Sequence, residues 1–213
     1  MTFNNLVRKE LHQMRWIVII GILFGLALAA LIVGTFHYIG EIVEEIPPEI
    51  LELLAHYEIS RDLFFIFSDY TVYVWSQWQA KNLFQVGALL AIVIAATQFA
   101  GEVSRRTIGF YLTRPVSRRS GYLAKTLAGM IVLLAVFIGG TFLIWAGSAI
   151  MGYGADWGKL FVALLAGLVW MLAYYHFGCI ISTLNREPVT AGVIIGAAGV
   201  LLSVPGLFDA CLL

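Results

Sequence analysis

Charge is scarce in this chain. Only 12% of its 213 residues are Asp, Glu, Lys or Arg, and 61% are hydrophobic; an average soluble domain carries about a quarter charged residues. A soluble fold of this size cannot hide so much apolar surface, so the excess must face lipid. The chain is too short for a membrane domain plus a soluble enzyme domain, which leaves one compact membrane bundle. Cysteine is also rare. Cys179 and Cys211 form no CxxC and no cluster, so neither a disulfide framework nor a metal site is indicated. No HExxH, no Gly-x-Ser-x-Gly and no paired carboxylates lie in the apolar runs, which makes an intramembrane enzyme the weaker alternative. The stretch Gly152-Tyr153-Gly154-Ala155-Asp156-Trp157-Gly158-Lys159 is no nucleotide loop. Its glycines are wrongly spaced, and Leu160 stands where a phosphate loop needs Ser or Thr. Ionisable residues inside the apolar runs are nearly lacking too, which argues against ion or proton coupling.

What is present is a series of long apolar segments, and the fold class they predict is all-α, a polytopic transmembrane helical bundle. Five spans are expected, near 16–38, 80–101, 121–150, 159–183 and 189–208. The first, at about 20 residues, is too long for the core of a signal peptide and is read as a retained helix. Ahead of it, Phe3, Leu6, Val7, Leu11 and Met14 recur at helical spacing with Arg8, Lys9, His12 and Arg15 between them. That pattern predicts a basic amphipathic helix over 1–15, suited to an anionic membrane surface or to a solvated extension of the first span. Residues 39–79 are acidic and then aromatic. Pro47-Pro48 would start a helix there with Ile50, Leu51, Leu53 and Leu54 on its apolar side, and Phe64 to Trp78 supply aromatics suited to interfacial anchoring or to substrate contact. Pro205 and Gly206 are expected to interrupt the fifth span late.

Lys and Arg set the orientation. Ten of them flank one side of the expected spans: Arg8, Lys9, Arg15, Arg105, Arg106, Arg114, Arg118, Arg119, Lys125 and Arg186. Arg61, Lys81 and Lys159 flank the other. The N-terminus and the 102–120 loop are therefore expected in the cytoplasm, and 39–79 outside. Cys179 then lies towards the cytoplasmic side and Cys211 towards the opposite face. Within the spans, Gln98 and His176 are candidates for a pathway or for helix packing. Gly21-xxx-Gly25 and Gly192-xxx-Gly196 would permit close helix approach.

The most informative segment runs from Gly101 to Arg119. Ile108, Tyr111 and Leu112 fall on one face of a single short helix, with Val103 in line, and Arg105, Arg106 and Thr107 lie elsewhere on it. Arg114-Pro115 would end it, since proline disfavours helix in the residue before it. A brief helix, apolar on one face and cationic at its rim, suits insertion into a groove on another protein.

Here the order Glu102, Arg106, Thr107, Leu112, Arg114, Pro115, Val116, Ser117, Arg118 resembles the cytoplasmic coupling segment of ABC-2 type permeases. The amphipathic helix before the first span, the long first external segment and the tight turn at Asn185-Arg186-Glu187-Pro188 are similar to that family as well. The resemblance implies the membrane-spanning subunit of an ATP-driven exporter. A separate cytoplasmic ABC ATPase would dock on Glu102, Arg105, Arg106, Thr107, Ile108, Tyr111, Leu112, Arg114, Pro115 and Arg118. A second permease subunit, identical or not, would complete the pathway in the cell membrane. ATP would be the partner's, so this chain is expected to be no enzyme, to hold no cofactor or metal, and to bind no nucleic acid. A non-transporting membrane anchor or sensor subunit is the alternative. The family usually has six spans with both termini cytoplasmic, whereas five are expected here, so a last helix is expected to be missing.

Overall fold

A computed structural model describes residues 3–45, 66–67, 69–106 and 117–212; side chains are described for these except at 40, 42–45 and 202–212. The described residues are helical and include no strand. In chain order the helices are α1 (Phe3–Gln13), α2 (Arg15–Glu45), α3 (Tyr70–Val74), a π-helical segment (Trp75–Leu83), α4 (Phe84–Gln98), α5 (Ala100–Ser104), α6 (Arg118–Met151), α7 (Trp157–Leu184) and α8 (Pro188–Leu212). Among the described residues, four stretches are long and apolar enough to cross a bilayer: Arg15–Ile39, Tyr70–Ser104, Arg118–Met151 and Trp157–Leu184. They are apolar all round, which in a helix of this length suits lipid on one side and protein on the other. The fifth expected span is the helix α8, whose apolar part with described side chains is Pro188–Leu201. Its backbone stays helical through Pro205 and Gly206 rather than being interrupted there. Such residues are tolerated in membrane helices when neighbours satisfy the freed backbone groups. The helix expected after Pro47-Pro48 and the aromatics at 64 and 65 lie outside the described residues.

The chain groups into two compact units. The first comprises Met1–Val18, Gln85–Ala135 and Leu168–Leu213; the second comprises Ile19–Phe84 and Val136–Gly167.

In the second unit, small residues set how closely helices approach. A Cβ added at Gly21 would lie 2.8 Å from a Val136 methyl, and one at Gly25 would touch the Gly140 Cα at 3.7 Å. The Gly21-xxx-Gly25 pair thus seats α2 against α6 of the same chain. The Trp78 ring abuts Gly140, where a Cβ would meet it at 2.6 Å, and its indole N–H donates to Thr141 Oγ1 at 2.8 Å. Phe36, Tyr70, Tyr73 and Tyr153 form a ring cluster with neighbouring centroids 4.7–5.3 Å apart. Tyr73 and Thr35 hydroxyls bond at 2.7 Å, and Tyr70 bonds Ser148. Tyr70, Tyr73 and Trp78 are therefore buried in the protein, while Trp75 stays half exposed. Asp156 stands before α7, and the Lys159 ammonium, together with its backbone N–H, holds that carboxyl below the ordinary range.

The second long helix starts at Tyr70, ahead of the start near 80 expected for its span. Asp69 caps it, accepting from Thr71 N–H at 2.7 Å. The buried positions Val74, Trp78, Gln79, Leu83, Gly87 and Ala91 are spaced wider than an α-helix allows on one face. The i→i+5 bonding of Trp75–Leu83 takes more residues per turn and keeps them aligned.

Candidate functional site

The functional segment predicted at 102–118 begins within α5, in the first unit. Four attachments hold its base. The first is a broken helix. At Phe99 (φ −108°, ψ −61°) the ladder of the second long helix opens, separating α4 from α5. Ser182 of α7 fills the gap: the Ala100 N–H donates to Ser182 Oγ at 3.1 Å, and that hydroxyl donates to Ala96 O at 3.2 Å. A foreign hydroxyl thus replaces the direct Ala100-to-Ala96 bond, a recognised cause of helix bending.

The second attachment is Gln98, which is buried. Its Nε2 donates to Lys125 O at 2.9 Å and approaches Met14 Sδ at 3.8 Å, while its Oε1 accepts from the Tyr175 hydroxyl at 2.6 Å. One amide thereby joins residues 14, 125 and 175 to the end of α4. The third is ionic. Lys125 Nζ lies 2.9 Å from Glu10 Oε2 and 2.7 Å from Glu102 Oε1, and Lys9 Nζ adds a contact to Glu10 at 3.3 Å. The Lys125 and Glu10 side chains are 5% and 3% exposed and Glu102 is 21% exposed. Such charges leave water only when paired. The fourth is a ring stack of Phe99 on Tyr122, with centroids 5.1 Å apart.

α1 and the turn residue after it reach this network through Leu6, Glu10 and Met14, all buried, which repeat every four residues and so lie on one side. Phe3 stays exposed and Val7 and Leu11 half-buried. The apolar set expected to lie on a membrane surface is thus divided, with Leu6 and Met14 turned into the protein.

α5 ends abruptly. The Arg105 N–H bonds Gly101 O and the Arg106 N–H bonds Val103 O, and Arg106 adopts a left-handed φ of 57°. That conformation stops a helix and costs a non-glycine residue on the order of 1 kcal/mol. The helix path from Val103 is interrupted at Arg106; Ile108, Tyr111 and Leu112, the apolar face expected for the segment, lie outside the described residues. On the other side of the segment, Ser117 caps α6, its Oγ accepting from Ser120 N–H at 3.1 Å.

The sequence model of the ABC-2 family transporter proteins matches residues 5–208. The chain belongs to the ABC-2 transporter family. No curated protein and no solved structure matches it. The helical bundle and this membership make it a multi-pass membrane protein of a transporter family.

In this ABC-2 family protein, Arg105, Arg106 and Arg118 are exposed at the two ends of the segment. Glu102 instead turns onto Lys125. Thr107, Ile108, Tyr111, Leu112, Arg114 and Pro115 lie outside the described residues. Gln98 is a packing hub. His176 stands apart from it, its Nδ1 bonded to Leu172 O at 2.6 Å on its own helix and its ring edge-on to Tyr175. Gly192 and Gly196 face Ile92 of α4 at 3.7–3.9 Å, so this pair also packs within the chain. Sequence reasoning passed over Glu10, Ser182 and the pairing of Lys125. The available signal was a glutamate between two buried apolar positions, and a lysine just inside an apolar run.

Proposed function

We propose that this chain is the membrane-spanning permease subunit of an ATP-driven ABC-2 type exporter. Separate cytoplasmic ATPases dock on the 102–118 segment, bind and hydrolyse the ATP, and move that segment to open a pathway shared with a second permease subunit. The observation that carries this reading is the end of α5 in a chain of this family. It halts on a left-handed residue and offers Arg105 and Arg106 to solvent while its base is tied into the bundle. A charged, exposed stop on a firmly held helix suits a docking point that must pass movement on. The Lys and Arg distribution supports a cytoplasmic N-terminus in the cell membrane. This chain carries neither cofactor nor catalytic residue in this scheme.

The Arg105→Glu/Arg106→Glu variant is expected to weaken co-purification with the ATPase roughly tenfold, since rim charges act mainly through long-range attraction. Unchanged complex formation after replacing all of 105–116 with a Gly/Ser stretch would remove the docking role. Stimulated ATP hydrolysis by the reconstituted complex separates an exporter from a non-transporting anchor. Orientation has its own test. A cysteine at Ile50 should react with an impermeant thiol reagent from outside, and one at Phe110 only after the cytoplasmic side is opened; the reverse pattern refutes the topology.

A further inference from the structure

We infer that Lys125 is a positioning residue for the cytoplasmic segment: by bonding Glu10 and Glu102 together, it fixes the N-terminal helix and the base of that segment as one body on the third span. Its functional arm rests on the docking role proposed above; its structural arm does not.

The geometry comes from three separate elements. Glu10 lies on α1, Glu102 on α5 and Lys125 on α6, with the ammonium 2.9 and 2.7 Å from the two carboxylates. These are charge-assisted bonds, short and directional, so they set relative orientation as well as contact. A second layer repeats the same join: the Gln98 amide touches Lys125 O and Met14 Sδ. The two layers hold α1 at Glu10 and the chain just beyond its end at Met14, four residues on.

The choice of chemistry is informative. Buried ion groups are seldom the most stabilising way to fill such a space, since apolar side chains of similar volume often do as well or better. What ions add is a defined register. Apolar faces slide over one another at little cost, whereas a lysine between two carboxylates has one good position. The network therefore holds α5 rigid up to its stop at Arg106. Movement imposed on the segment beyond is passed to α1 and α6 instead of being absorbed by bending at the base.

The test uses the full chain in lipid, in a Cys179→Ala/Cys211→Ala background, with spin labels paired at positions 4 and 119 and, separately, at 104 and 119. Asn4, Ser104 and Arg119 are all exposed. Both pairs should give narrow distance distributions. In the Glu10→Met/Lys125→Met/Glu102→Met variant both should broaden about twofold while helicity and melting midpoint are kept, because replacing a whole buried ion set by apolar side chains of similar volume is often neutral in stability. In Glu10→Gln only the 4–119 pair should broaden, since the Lys125–Glu102 bond survives; a general loss of structure would broaden both. Should the triple variant fail to fold, Glu10→Gln alone decides. Unchanged distributions in the triple variant, or in Glu10→Gln for the 4–119 pair, overturn the inference. With the ATPase added, the Glu10→Gln variant, which leaves every docking residue in place, should still co-purify but stimulate hydrolysis about fivefold less than the parent, a coupling of ordinary size. Retained stimulation overturns the transmission of movement. An ATPase that does not bind the parent chain overturns the docking role and leaves the label result standing.

Discussion

Replacing Lys125 by methionine alone is expected to be the most damaging single change in the first unit. It leaves Glu10 and Glu102 facing a thioether where an ammonium stood 2.9 and 2.7 Å away. Removing one partner of a buried ion pair typically costs about 3–5 kcal/mol, because the remaining charge stays out of water. Two features temper this. Glu102 is 21% exposed, and Glu10 keeps its contact with Lys9 at 3.3 Å. A value near about 3 kcal/mol is therefore expected, which for a chain of this size lowers the melting midpoint by on the order of 10 °C. The measurement is thermal unfolding of the purified protein in one detergent, with the triple methionine variant alongside. A single variant as stable as the parent would mean that Lys125 is hydrated in the folded protein.

Gly129→Ala is expected to come next. The added methyl would sit 2.6 Å from Tyr175 Cζ and 2.9 Å from Gln98 Nε2. Neither neighbour can yield freely. The Tyr175 ring is completely buried and its hydroxyl donates to Gln98, while Gln98 is held in turn by Lys125 O. Overpacking costs about 1–3 kcal/mol and a disturbed buried hydrogen bond about 1 more. Gly139→Ala is the matched control, since nothing lies within 4 Å of its Cβ position. There the better helix propensity of alanine should leave stability unchanged or raise it by up to about 1 kcal/mol. Equal melting midpoints for the two variants would show that Tyr175 and Gln98 are not packed as described.

The contrast between these sites shows what was legible beforehand. The spans could be read because lipid demands long apolar runs, and length alone separates them from soluble helices. The amphipathic character of α1 could be read from spacing as well. The face that packs inward could not, because Glu10 lies on it, and a charge in a buried stripe looks like an error of pattern until its partner is known. Lys125 counted towards orientation, and a count of cations is blind to burial. The stop at Arg106 was hidden for a different reason. No glycine or proline marks it, and the apolar spacing runs on through it into 108–112. The π-helical turn at Trp75–Leu83 was hidden since a period of 3.6 cannot align Val74, Trp78, Leu83 and Gly87. In the candidate site, Arg105, Arg106 and Arg118 are expected from sequence and are exposed in the structure; the serine and the ion network that hold its base belong to tertiary structure alone.

The join at Ser182 carries a consequence for how this protein can be watched. In an ordinary helix an amide gives up its hydrogen to solvent when its own turn unwinds. The Ala100 amide is bonded to a side chain of α7 instead. Its exchange with deuterated water therefore reports the separation of two helices, even while the turns on either side of it remain wound. One backbone hydrogen, placed by a single hydroxyl, thus serves as a built-in gauge of whether α7 is seated against the helix that leads to the 102–118 segment.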